Sequence, residues 1–185
     1  MVMWMYIYLV FSKTGTWLSK IIKIFAKTKY VHVSLGFDKK LNKMYSFGRV
    51  NPNNPFSGGF VEENIRTGIY KISKDPECIV YRIKITEDQY NMLWKELQEY
   101  SNCSKLLRYN FIGLIAAGVN VPLKRKKHYF CSQFVSQLLI KIDVLNVEKP
   151  PELIRPTDLF IHIKEKEEIF RGYVREYVTI SNEVD

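Results

Sequence analysis

At 185 residues the chain suits one domain, and 46% hydrophobic with 25% charged residues excludes a disordered polymer. The 28 lysines and arginines against 19 acids leave +9, a balance that favours anionic partners such as nucleic acid, acidic lipid head groups or cell-wall polymers and says nothing of fold. Cys78, Cys103 and Cys131 are widely spaced with no CxxC, which argues against a zinc ribbon or redox pair and fits a reducing compartment.

The first segment, residues 3–11, has the Trp, Tyr, Ile and Val content of a buried strand. It is too short to cross a membrane and lacks the basic start and cleavage site of a signal peptide, so a cytoplasmic protein is expected. Residues 12–15 break it. A helical stripe of Trp17, Ile21, Ile24 and Phe25 follows over 16–27. Over 30–37, Val31, Val33, Leu35 and Phe37 alternate with His32, Ser34 and Gly36, which predicts a half-buried strand. A turn over 38–42 leads to a hairpin partner over 43–48. Prolines, asparagines and a Gly-Gly pair mark 51–59 as a long loop.

Residues 78–85 read as a strand, and Thr86 caps a helix to about residue 100 with Tyr90, Leu93, Trp94 and Leu97 on one face. Residues 111–119 read as a short apolar helix ended by Gly118. The run Lys124-Arg125-Lys126-Lys127 reads as a solvated loop. Residues 131–142 form a helix that buries Phe134, Val135, Leu138, Leu139 and Ile142. Pro150, Pro151 and Pro156 punctuate a linker, Thr157 caps a helix over 158–163, and 168–180 reads as one or two strands. The expectation is a single α+β domain over 1–185.

Chemistry points to Cys131, the first residue of its helix. The thiolate is the reactive form of cysteine, and a helix N-terminus favours negative charge. The first-turn N–H groups of Cys131 and Ser132 are placed to hold an oxyanion. A thiol nucleophile needs an imidazole partner. Of three histidines, His128 sits in a basic loop three residues before Cys131 and His162 in a short C-terminal helix, which leaves His32. Each residue alone has a plain alternative: a small apolar residue at a helix start, and a structural strand histidine. Ser46, on the partner strand of the hairpin, is the candidate orienter of the base, though serine orients more weakly than Asp, Asn or His; Asp38, Glu62 and Glu63 are the other candidates. Tyr30, Ser34 and Phe130 beside the pair, and Gly58, Gly59 and Glu62 in the following segment, are expected to line the cleft.

Tyr30-Val31-His32-Val33-Ser34-Leu35 and Phe130-Cys131-Ser132-Gln133-Phe134-Val135 resemble the two signatures of circularly permuted NlpC-type, YiiX-like hydrolases of the papain-like cysteine peptidase superfamily. The histidine strand precedes the cysteine helix, as in the permuted branch, and the resemblance spans roughly residues 3–142. It implies a papain-like fold: a central antiparallel sheet or barrel packed on helices, with the cysteine at a helix N-terminus. It implies an amidase, peptidase or acyl-transfer reaction through a thioester, needing no metal or organic cofactor. Ser46 stands where His, Asn, Gln or Glu is more usual. Relatives include lecithin:retinol acyltransferase-like enzymes, so a peptide, a cell-wall peptide or a lipid-like molecule suits as substrate. Two other readings remain: a lipid- or peptide-binding module that has lost catalysis, and a nucleic-acid binder. Against the latter, only 124–127 clusters cations and no known nucleic-acid motif is present. Nothing in the pattern sets an oligomeric state.

Overall fold

A near-continuous apolar run becomes the middle of the sheet. The computed structural model describes residues 3–14, 29–51, 54 and 57–183; the helix expected over 16–27 lies outside them. Strand β1 (Trp4–Lys13) runs on through Ser12, past the expected break, because it pairs along its whole length with β5 (Glu77–Thr86). On its other side it pairs with β2 (His32–Gly36), followed by β3 (Met44–Arg49) and β4 (Gly58–Glu63). Strand β8 (Glu167–Tyr173) closes the order β4-β3-β2-β1-β5-β8, with every pair antiparallel.

One face of the sheet packs against helices. Helix α2 (Glu87–Asn102) starts at Thr86, whose Oγ1 accepts the Gln89 N–H at 3.2 Å while Gln89 Oε1 accepts the Thr86 N–H at 2.9 Å. Leu93 and Leu97, four residues apart, reach the core. Helix α4 (Cys131–Lys141) lies across β2 and β3 and is buried round much of its circumference. Phe134 joins α4 to α2 and the sheet, its ring 5.0 Å from Tyr100 and 5.2 Å from Phe47. Burying one such side chain contributes about 2–3 kcal/mol. Helices α3 (Phe111–Gly118) and α5 (Pro156–Ile163) complete this face. Helix α5 begins at Pro156, not after Thr157, since proline is well suited to the first helical position.

The other face carries a second apolar cluster around Tyr8, Val10, Met44 and Tyr70. It is covered by residues 64–67, helix α1 (Gly68–Ile72) and helix α6 (Val174–Glu183). β2 is therefore buried on both faces, not half-buried: Ser34 is as inaccessible as Val33. The C-terminal strands expected over 168–180 are one strand and a helix. Val174, Tyr177 and Ser181 are buried at i, i+3 and i+7, a helical period that the β-branched composition obscured. Among the described residues no helix is long and apolar enough to cross a membrane.

Candidate active site

Helix α4 begins where two constraints meet. Phe130 is extended and fully buried, and its N–H donates to Gln133 Oε1 at 3.4 Å. Ser132 Oγ donates to the Ile154 carbonyl at 2.8 Å. The helix start is thus fixed between the sheet and the 151–155 segment. Cys131 Sγ lies 3.9 Å from the carbonyl of Val31, the residue preceding β2. That contact puts the thiol beside the first residue of β2, which is His32, within range to influence the imidazole. The structure therefore brings together two residues that lie far apart in the sequence.

The orienting group differs from the expected Ser46. His32 Nε2 lies 3.0 and 3.3 Å from the two oxygens of Glu63, and Ser34 Oγ donates to Glu63 Oε2 at 2.5 Å. Glu63 is on β4, with β3 between it and His32. The carboxylate crosses β3 over Gly48. A Cβ there would stand 3.3 Å from Glu63 Oε1 and 3.4 Å from His32 Cε1. Ser46 shares this face and is fully buried, with no well-formed hydrogen bond. It adds to the polar surroundings that keep Glu63 ionised but does not hold the imidazole. Of the other candidates, Asp38 accepts the N–H groups of Asn42 and Lys43 in the β2–β3 turn. Glu62 lies within reach of Tyr45 instead, and after burial it is the main influence that raises the Tyr45 phenol.

Burial by itself would lower the affinity of His32 for a proton and raise that of Glu63. Their mutual attraction and hydrogen bonds win: His32 is pushed up to about 10, and Glu63 is held below the usual carboxylate range. At neutral pH the pair is an imidazolium facing a carboxylate. Nε2 is committed to Glu63, which leaves Nδ1 for the thiol.

Sequence reasoning missed Tyr109. Strands β6 (Arg108–Tyr109) and β7 (His128–Tyr129) form a short parallel pair, with the Asn110 N–H donating to the Tyr129 carbonyl at 2.9 Å. This tie carries the phenol to Cys131. Burial, then the Cys131 charge and a hydrogen bond with it, drive the Tyr109 hydroxyl well above its ordinary range, so it stays a donor. The only local signal was an aromatic residue just before an Asn-capped helix; the parallel pairing is non-local.

A cavity of about 230 Å³ opens beside the cluster, walled by His32, Glu63, Tyr109, Arg49, Tyr70 and Glu62 among others. Cys131, only 1% exposed, lies behind His32 and Tyr109. Of the expected cleft residues Glu62 lines this cavity. Ser34 lies beneath it, Tyr30 packs half-buried on the helical core, and Phe130 is wholly inside that core. Gly58 and Gly59 serve packing instead. A Cβ on Gly58 would meet Tyr109 Cβ at 2.5 Å, and one on Gly59 the Leu107 carbonyl oxygen at 2.9 Å, so their bareness lets the 107–109 segment lie against β4. Of the segment expected to border the cleft, residues 51–60 with Glu62 and Glu63, only Glu62 and Glu63 do so among the described residues; the flanking Val50 and Val61 also line the cavity.

Among the described residues no group of three or more His, Cys, Asp or Glu side chains is arranged to hold a metal ion. His128 bonds the Lys126 carbonyl, and His162 is exposed on α5. The other thiols lie elsewhere: burial pushes Cys78 up to about 12, and Cys103 contacts the Tyr100 carbonyl. The chain matches no family model, no curated protein and no solved structure.

Proposed function

We propose that this α+β protein is a thiol hydrolase acting on an amide or ester, built as a circularly permuted papain-like enzyme. The observation that carries the reading is the His32–Glu63 pair set against the start of helix α4, with Cys131 at that start. The Cys131 thiolate attacks the substrate carbonyl carbon. The developing oxyanion is held by the Cys131 and Ser132 N–H groups, free of helical partners in a first turn, and by the Tyr109 hydroxyl. His32 passes a proton to the departing amine or alcohol while Glu63 steadies its charge, leaving a thioester on Cys131. Water then attacks the thioester with His32 as base, releasing the acid and restoring the thiol. A small peptide, a cell-wall peptide or a lipid-like acyl compound fits this chemistry.

Alkylation by iodoacetamide at neutral pH, followed by peptide mass spectrometry, tests the reading. Cys131 is expected to react ahead of Cys103 and Cys78, and His32→Ala to slow it. Turnover of acyl esters or peptide amides is expected to vanish in Cys131→Ala. Equal turnover by that variant ends the proposal. The near-complete burial of Cys131 favours a second reading, a binding module on the same scaffold. On that reading Cys131 resists alkylation while a fatty-acyl or peptide ligand still raises the melting temperature.

A further inference from the structure

Helix α3 departs from the pattern of a surface helix. It contains no charged residue. Gly113 and Ala117 face inward, while Ile112, Ile115 and Val119, at i, i+3 and i+7, are 58%, 49% and 64% exposed. A helix at a surface ordinarily turns polar residues outward; one apolar on all sides is normally covered. Leu106 before it and Val121 after it, 56% and 51% exposed, extend the apolar surface in both directions.

The surroundings say what covers it. From residue 100 to 130 the chain has six lysines and arginines and no aspartate or glutamate. Lys105, Arg108, Lys124, Lys126 and Lys127 are exposed, and none of the six enters an ion pair among the described residues. A second copy would bring two cationic rims together. Nucleic acid would use aromatic side chains for stacking, but the exposed groups here are branched aliphatics. We propose that α3 and the 121–127 loop dock on an anionic phospholipid bilayer. The aliphatic side chains enter the boundary between head groups and acyl chains, and the cations face lipid phosphates. Each cation near such a surface strengthens binding about fivefold.

Docking also bears on substrate. Tyr109, two residues before α3, is both a cavity wall and a neighbour of Cys131. A docked α3 therefore holds the cavity beside lipid. On the hydrolase reading this favours an acyl-lipid ester or amide over a cell-wall peptide. The docking itself does not depend on that reading.

Flotation of the full chain with phosphatidylcholine vesicles, with and without phosphatidylserine, tests the proposal. Binding is expected only with phosphatidylserine, and added salt should weaken it. The variant Ile112→Ser/Ile115→Ser/Val119→Ser and, separately, Lys124→Glu/Lys126→Glu/Lys127→Glu should each bind about tenfold more weakly or worse. Cys131→Ala should bind as wild type, which keeps a failure of docking distinct from a failure of catalysis. Absence of wild-type binding overturns the proposal, as does unchanged binding by a folded serine variant. So do self-association lost in the serine variant, or binding of RNA or DNA that the serine changes abolish. If the serine variant loses its native circular dichroism, the charge-reversal variant decides alone.

Discussion

Glu63→Gln should cost stability in a way that depends on pH. In the folded protein His32 is pushed up to about 10 by Glu63 and Cys131, against the opposing effect of burial; its ordinary value is 6.5. A raised folded value stabilises fully below 6.5, and that stability is lost as pH rises through about 10. From pH 7 to a value of about 10 lie three pH units, each worth ~1.4 kcal/mol, so at pH 7 the proton-linked stabilisation is about 4 kcal/mol. That is a ceiling, since Cys131 supplies part of the effect. It agrees with the roughly 3–5 kcal/mol expected when one partner of a buried ion pair is removed. The same linkage leaves about 1 kcal/mol at pH 9 and nothing above about pH 10. Glu63, held low, loses its side of the interaction only on acidification below the carboxylate range. It is the same pair seen from the other partner and adds no second contribution. Urea unfolding of wild type and variant at pH 6, 7 and 9 measures the gap. It should be widest at pH 6 and shrink steadily. A gap that is small at pH 7, or flat from pH 6 to 10, would refute the imidazolium–carboxylate pair.

The remaining predictions are local. Gly59→Ala forces a Cβ to 2.9 Å from the Leu107 carbonyl oxygen, a backbone atom that cannot swing away, and should destabilise by about 1–3 kcal/mol in thermal or urea unfolding. Asn110 Oδ1 accepts the Gly113 N–H at 3.0 Å, so Asn110→Ala should cost about 1 kcal/mol and loosen α3, read by hydrogen exchange at residues 111–114. Tyr109→Phe should lower kcat about a hundredfold with little change in KM, as expected for a lost oxyanion donor. An unchanged kcat would reduce Tyr109 to a wall. Turnover should decline as pH passes about 10, where His32 loses its proton, and the same limb should move to lower pH in Glu63→Gln.

The motifs of the chain together contained more of the site than any one residue suggested. Cys131 at a helix start was readable because Phe134, Val135, Leu138 and Leu139 repeat at helical spacing immediately after it. His32 was readable because its strand alternates and the rival histidines sit in poor contexts. The Thr86 cap and the β2–β3 hairpin likewise follow from local chemistry, whereas the antiparallel sheet packed on helices was expected only from the family resemblance. Glu63 was among the candidates, but Ser46 was preferred to it for a definite reason. Adjacent-strand reasoning reaches only one strand away, and the carboxylate that holds His32 comes from two strands away.

Local order in this chain determined which residues carry reactive groups and which elements present them. Short-range forces suffice for that: side-chain periodicity, capping and turn chemistry act within a few residues. Tertiary structure alone decided the partner of His32, the arrival of Tyr109 at Cys131 and the outward turn of the apolar face of α3. Each depends on contacts between segments far apart in sequence. Glu63 crosses bare Gly48, a two-residue parallel pairing carries Tyr109, and α3 buries its two small residues, Gly113 and Ala117, while its isoleucines face out.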